Sequence, residues 1–282
     1  VSHEPLPDIA QLRLTELHSG EARSAFEALI PWFDSLVRLW DLYISYGGFP
    51  TAVAAARRGD PIPDGFITAI WDVVFGDAFK TSRLAAQTEM ALLERLWKSL
   101  ASPVSLSKIG SEVGVSHEVV ARHIGYLRDS YLLWNCPQRA DNSWMARARS
   151  QDKIYAIDPL IARLAHLRSA AREDVDPSVL TEMQLGMAIR RRIFASGGPM
   201  TRDEFLFYVR TPARKEIDFV SEAFGGAALE GKYIEDGRWL SDAATVNASI
   251  WRGVLATRNV LDTASARAWA VPAGLLCYLI DI

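Results

Sequence analysis

The sequence has only two cysteines, Cys136 and Cys277, far apart and with no paired spacing around either. That scarcity excludes a disulfide-stapled scaffold and a zinc knuckle, and it fits a reducing, cytoplasmic compartment. Histidine is equally sparse. His3, His18, His117, His123 and His166 approach no metal-ligand spacing, and neither cysteine has a histidine partner, so zinc and cysteine-nucleophile chemistry drop out. Long hydrophobic runs are missing too. The apolar stretch Ala268–Ile280 is too short to span a bilayer and contains Pro272 and Gly274. No signal-peptide pattern, internal repeat or low-complexity tract is visible, and no membrane partner is implied. Charge of one sign is also lacking: 31 Lys and Arg stand against 34 Asp and Glu, a formal net charge of -3. A globally basic nucleic-acid coat is excluded, so any DNA contact must be regional.

What is present is an ordinary core-forming composition, 49% hydrophobic over 282 residues, enough for one large or two to three small cores. The chain begins with helical patterns over Glu21–Ile30 and from Pro31, where Leu36, Leu39, Trp40 and Tyr43 recur at three- and four-residue steps. Tyr46-Gly47-Gly48-Phe49-Pro50 stops the second helix, and another begins near Thr51. After the break at Arg58–Pro63 an apolar helical stretch runs from Asp64 to Phe79, and a boundary falls near Lys80–Ala86.

A different organisation follows. A helix over Thr88–Ala101 closes at Pro103, Ser105 caps a short helix with Ile109 and Val113, Gly114 turns the chain, and Ser116 caps the next helix. This is the helix-turn-helix pattern, and the apolar runs Tyr131–Asn135 and Lys153–Ile157 around a polar loop read as a two-stranded wing. Next comes a helix from Asp176-Pro177-Ser178 to about Phe194, ended by Gly197-Gly198-Pro199. Strands are expected over Glu204–Arg210, Lys215–Ser221, Ala227–Tyr233, Gly253–Thr257 and Arg267–Val271, with a helix near Asp242–Ile250 and a terminal apolar segment. The expected class is α+β multidomain: helices over residues 1–86, a winged helix-turn-helix over 87–170, and an α/β domain over 171–282.

The pattern richest in chemistry is Glu216-Ile217-Asp218-Phe219-Val220, followed after Gly225-Gly226 by Leu229-Glu230-Gly231-Lys232. A hairpin centred near Phe224 sets Asp218 opposite Glu230. Opposed residues have Cβ atoms roughly 4.5–5.5 Å apart, and like charges there need compensation. A divalent cation compensates. Alternation places Lys232 with the two carboxylates. Mg²⁺ takes few carboxylates, keeps waters and completes its shell with phosphate oxygens, and the Gly231 carbonyl is a further candidate ligand. A lysine beside such an ion can orient the attacking water or offset developing charge, so the set suits phosphodiester hydrolysis. Glu182 falls on the side of its helix that carries Leu185, Ile189 and Ile193, where it either joins the set or serves the helix dipole. The alternative for Asp218, Glu230 and Lys232 is a solvated, salt-bridged hairpin face.

In this order, Tyr43–Pro50, the helix-turn-helix, Lys153-Ile154-Tyr155-Ala156-Ile157-Asp158, Glu182, Glu216–Val220 and Leu229–Lys232 resemble AAA+-type ATPases ending in the domain of unknown function 4143. The resemblance covers about Trp40 to the C-terminus. It implies a restriction-endonuclease-like domain of the PD-(D/E)xK type with a mixed central sheet. By position, Asp218, Glu230 and Lys232 match its nuclease-like motif and Glu182 the acidic position on its first core helix, so that Asp218 and Glu230 hold Mg²⁺ while Lys232 and Glu182 are catalytic. It also implies an N-terminal ATPase domain as partner, where ATP binds. The sequence departs from the family in having no Gly-x-x-x-x-Gly-Lys-Ser/Thr phosphate loop, so no ATPase activity is expected of this chain. Its start at Val1 suggests the C-terminal piece of a longer protein, with the first 40 or so residues the tail of an ATPase lid.

On the presumed recognition helix His117, Arg122 and Arg128, and on the wing Arg147 and Arg149, are the candidate DNA contacts, with Arg139 and Lys153 nearby. Glu118 and Asp129 dilute the positive charge, so a structural or protein-contacting winged helix is an equal reading. Arg190-Arg191-Arg192 suits either phosphate binding or the C-terminal end of a helix dipole. Tryptophans such as Trp40, Trp71 and Trp97 sit at core spacings. Two functions emerge: a DNA-acting, Mg²⁺-dependent nuclease-like module, or a non-catalytic regulatory or partner-binding module. Oligomeric state is not encoded in any pattern.

Overall fold

The computed structural model describes residues 6–76, 84–168, 173–197, 205–211, 215–235 and 237–281. The expected helix end at Phe79, the boundary at Lys80, the helix stop at Gly198-Pro199, the strand start at Glu204, and His3 lie outside these residues. The fold is α+β and its contacts form two compact units. One comprises residues 1–42, 137–150 and 177–282, and the other residues 43–136 and 151–176. This division follows packing and cuts across the three consecutive segments read from the sequence.

The helical unit contains α3 (Pro50–Arg58), α4 (Asp64–Trp71), α5 (Ala86–Trp97), α6 (Leu106–Val113), α7 (His117–Asp129), β1 (Leu133–Cys136), β2 (Lys153–Ala156) and α8 (Pro159–Arg168). The helix expected over Asp64–Phe79 changes at Asp72 into a π-helical turn that reaches Gly76. The rings of Trp71, Phe75 and Trp97 meet in sequence there in tilted pairs, 4.0 and 5.2 Å between centroids. Helices α6 and α7 follow one another across a turn at Gly114–Ser116 and pack together. Ser105 Oγ accepts the Lys108 N–H at 3.3 Å, and the N–H groups of Gly114 and Val115 both return to the Gly110 carbonyl. Ser116 stands at the N-cap of α7 but accepts no backbone N–H; its hydroxyl engages Glu118 instead.

Strands β1 and β2 pair antiparallel, Trp134 opposite Tyr155, with their rings 4.5 Å apart. Helix α8 was not foreseen, although its start is well specified. Pro159 is its first residue, and Asp158 Oδ1 accepts the Leu160 N–H at 2.7 Å. The other oxygen of Asp158 accepts the Gly48 N–H at 2.8 Å. Gly47 has φ +80°, and a Cβ there would stand 2.2 Å from Asp158 Oδ1, so the Gly-Gly-Phe-Pro turn needs its glycine for both conformation and space.

The sheet unit is built on a five-stranded mixed sheet in the order β3 (Phe207–Arg210), β4 (Glu216–Val220), β5 (Ala227–Gly231), β6 (Arg252–Thr257), β7 (Ala268–Pro272). The first two pairings are antiparallel and the last two parallel. One face packs on Trp239, Ala243, Val246 and Trp251 around Ile217, Ala228, Leu255 and Ala270. This layer was expected as one helix near Asp242–Ile250. It consists of two short turns, α10 (Trp239–Asp242) and α11 (Ala244–Asn247), and the second stops short of Ile250 where Ser249 and Arg267 take up the carbonyls at its end. The long helix α9 (Pro177–Ala195) packs over β5 and β6 and against α12 (Ala273–Ile280). Helix α1 (Gly20–Ala28) belongs to this unit, and α2 (Phe33–Tyr46) begins in it and ends in the helical unit.

Residues 137–150, expected as the loop of a wing, belong to the sheet unit. Tyr208 donates its N–H to the Pro137 carbonyl at 3.1 Å, and Arg139 donates to the Tyr208 carbonyl at 2.8 Å. The segment thereby covers the edge of β3 that would otherwise present unpaired backbone groups. The Arg139 guanidinium lies over Trp144, 4.4 Å from the ring centre, and 5.6 Å from that of Trp251. Pairing between residues so far apart in sequence leaves no local signal, which is why a free wing loop was the expectation.

Candidate functional site

Strands β4 and β5 meet through Ser221, whose hydroxyl accepts the Ala223 N–H, then a 3₁₀ turn at Glu222–Phe224 and the Gly225-Gly226 pair. The resulting register pairs Phe219 with Leu229 and Val220 with Ala228. Continued by one residue, it sets Asp218 across from Glu230, centred on Phe224 as the sequence spacing predicts. The strand pairing changes character at this point: Asp218 Oδ2 accepts the Gly231 N–H at 3.1 Å, so a carboxylate takes a strand amide.

The two carboxylates are not on a solvated face. Asp218 is 4% exposed and Glu230 1%, because helices and short turns cover both faces of the sheet. Oε2 of Glu230 is 3.5 Å from Lys232 Nζ, while its Oε1 is fully buried with no hydrogen-bond partner among the described residues. Burial first, and the Asp218 charge second, push the Glu230 carboxyl up to about 8, partly opposed by Lys232. Lys232 is shifted upward, mainly by Asp218, then by Glu230 and Glu182, against the effect of its own burial. Its side chain remains one-third exposed, whereas that of its partner Glu230 is buried.

Glu182 comes to the same place from α9. The Gly231 main chain lies so close to that of Glu182 that a Cβ on Gly231 would be 2.6 Å from the Glu182 Cα. Thr181, buried one residue earlier, accepts the Trp40 Nε1–H at 3.4 Å. The structure therefore brings Asp218, Glu230, Gly231, Lys232 and Glu182 together. Among the described residues no three His, Cys, Asp or Glu side chains form a ready metal-holding group. Two buried carboxylates, one with an unpartnered oxygen, and a backbone carbonyl fit a hard ion that keeps several waters, as Mg²⁺ does.

A neighbouring cluster was missed. Tyr233 OH donates to Asp41 Oδ1 at 2.7 Å, and Arg258 donates to Asp41 Oδ2 at 2.8 Å and also pairs with Glu235. Burial and Asp41 hold the Tyr233 phenol well above its usual range. Tyr233 adjoins Lys232 and could have been suspected; Asp41 lies on α2, and nothing local connects it to β5.

The candidate nucleic-acid residues fall in two places. His117, Arg122 and Arg128 are exposed on α7 of the helical unit, where His117 pairs with Glu118 at 3.1 Å and Arg128 with Asp129 at 3.3 Å. Arg147 and Arg149 are exposed in the sheet unit, Arg147 3.9 Å from Asp141. The Arg190-Arg191-Arg192 run is occupied internally: Arg191 pairs with Asp281, Arg192 donates to Gln11, and Arg190 lies over Phe194. Lys153 is buried, not displayed on a wing.

Among the described residues no helix is long and apolar enough to cross a membrane. No curated protein and no solved structure matches the chain. Residues 37–171, which include α6, α7 and the β1–β2 hairpin but not the acidic cluster, match a family described as Domain of unknown function (DUF8612).

Proposed function

We propose that the sheet unit is a restriction-endonuclease-like domain of the PD-(D/E)xK type that hydrolyses phosphodiester bonds in DNA with Mg²⁺. In this reading the chain is the C-terminal region of an AAA+-type, cytoplasmic ATPase related to those ending in the domain of unknown function 4143, with ATP bound by a separate N-terminal domain. The observation that carries it is the buried Glu230 oxygen without a partner, beside Asp218 and Lys232 at the end of a mixed sheet. Such an atom costs roughly 1–3 kcal/mol when left unsatisfied, and a bound cation would relieve it.

Asp218, Glu230 and the Gly231 carbonyl would hold the ion. When bound, it would supply Lewis-acid stabilisation of phosphate oxygens and a more acidic water. Lys232, held in its charged form chiefly by Asp218, donates hydrogen bonds to the attacking water or to phosphate oxygens. Glu182, fixed by the close approach of α9 to Gly231, orients this set from the helix side. The helix-turn-helix and hairpin support a winged-helix reading in which Arg122, with His117 and Arg128, meets the phosphate backbone, and Arg147 and Arg149 add contacts from the sheet unit.

The test is cleavage of plasmid and labelled single-stranded and duplex oligonucleotides with Mg²⁺ or Mn²⁺. Metal-dependent products that fall at least a hundred-fold in Lys232→Ala are expected. Absence of products from the wild type with every substrate contradicts the reading. The second reading, a partner- or DNA-binding module without catalysis, draws on the ion pair that already engages Lys232 with Glu230. It predicts binding that is unchanged in Asp218→Ala.

A further inference from the structure

The strand end that carries Lys232 is held by a clamp of side chains outside the acidic set. After Gly231 the chain leaves the sheet ladder, yet Lys232 N–H still donates to the Ala256 carbonyl at 2.8 Å, and Arg258 N–H returns to the Ile234 carbonyl at 3.0 Å. Asp41 of α2 closes this exchange from the side. One of its oxygens accepts from the Tyr233 hydroxyl and the other from the Arg258 guanidinium, through Nη2 at 2.8 Å and Nε at 3.2 Å. The guanidinium also lies over the Tyr233 ring, 5.6 Å from its centre. A carboxylate gripping a two-pronged guanidinium donor and a phenol together is a geometrically specific arrangement.

We infer that Asp41 is a positioning residue, which acts through Tyr233 and Arg258 to fix the segment bearing Lys232. Among the described residues Lys232 has one ion-pair distance within 4 Å, to Glu230, and its side chain is one-third exposed. Its direction depends on the backbone from which it projects, and the next residue along that backbone is the one tied to Asp41. Geometry of this kind matters because an error of about 1 Å in a reacting group can cost on the order of a hundred-fold in rate. Asp41 touches neither the proposed ion nor the phosphate. The consequence for turnover rests on the phosphodiesterase reading; the clamp on the strand end does not.

The experiment compares wild type, Asp41→Asn and Tyr233→Phe in the full chain by three readouts: amide hydrogen exchange at Lys232 and Arg258, Mn²⁺ titration, and cleavage. Both variants are expected to melt cooperatively, with exchange at those two amides faster by at least ten-fold and unchanged at Val254 and Leu255 in mid-strand. Mn²⁺ affinity should stay within two-fold, because Asp218 and Glu230 are untouched, while kcat falls at least ten-fold at constant KM. Tyr233→Phe, which deletes one hydroxyl, guards against a folding defect in Asp41→Asn. Wild-type exchange at both amides in either folded variant overturns the inference. So does a kcat within two-fold of an active wild type. If the wild type shows no cleavage, the phosphodiesterase reading fails, and the exchange comparison alone decides whether Asp41 fixes the strand end.

Discussion

Gly231 and Glu182 meet main chain to main chain: helix α9 comes so near β5 that an added methyl on Gly231 would overlap the Glu182 Cα at 2.6 Å. The expected cost of Gly231→Ala is therefore displacement of a helix, not mere crowding of a side chain. Overpacking of this kind typically costs about 1–3 kcal/mol. Urea denaturation should show a lower midpoint with an unchanged slope, and Mn²⁺ affinity should fall along with stability because Gly231, whose carbonyl is a proposed ligand, is displaced with the adjoining Glu230.

Stability should decline with rising pH on account of Glu230. Its folded-state pKa is raised, from the ordinary 4.5 to about 8. Below pH 4.5 both folded and unfolded chains hold this proton. Between 4.5 and 8 the unfolded chain releases it while the folded chain keeps it, so the folded state loses ground across that window and no further above it. Glu230→Gln should flatten this slope, as read from urea midpoints at pH 5 and pH 8.5. Lys232 contributes in the alkaline range, since its raised pKa gives stability present below the ordinary lysine value of 10.5 and lost as pH climbs past the folded value. Because a bound cation requires the ionised carboxylate, Mn²⁺ uptake at pH 7 should release protons, measurable by titration in buffers of different ionisation enthalpy.

Asp158 ties the Gly47-Gly48 turn to the start of α8, one oxygen to each. Asp158→Ala removes a helix cap and a turn acceptor together. A loss of about 1–3 kcal/mol is expected, seen as a lower thermal midpoint. An unchanged midpoint would remove Asp158 from the account of this turn.

On α7, Arg122 is exposed between two basic neighbours that each face an adjacent acid, Glu118 beside His117 and Asp129 beside Arg128. Fluorescence anisotropy with duplex DNA at several salt concentrations should therefore show the largest effect for Arg122→Ala, with the salt slope reduced by about 1. Smaller changes are expected for His117→Ala and Arg128→Ala.

Much of this was legible because it is locally encoded. Phe224 as the centre of a hairpin, Ser105 as a cap and Gly114 as a helix stop depend on neighbours a few residues away, and the structure has them where the spacing indicates. The burial of Asp218 and Glu230 was not legible. Alternation shows which side chains share a face but cannot show that both faces are covered. The attachment of residues 137–150 to the β3 edge, the end of α11 before Ile250, and the reach of Asp41 to Tyr233 depend on partners between 18 and 192 residues away. Helix α8 is a different kind of omission: Asp158-Pro159 is a regular start signal, overlooked beside the strand that precedes it.

The central claim is that Asp218 and Glu230 form a cation site. Calorimetric titration of Mn²⁺ into the wild type and into Asp218→Ala, both checked for a cooperative melt, tests it most directly. The account predicts saturable binding with proton release in the wild type and its loss in the variant. Absent binding in a folded wild type, or equal binding in both proteins, would contradict it.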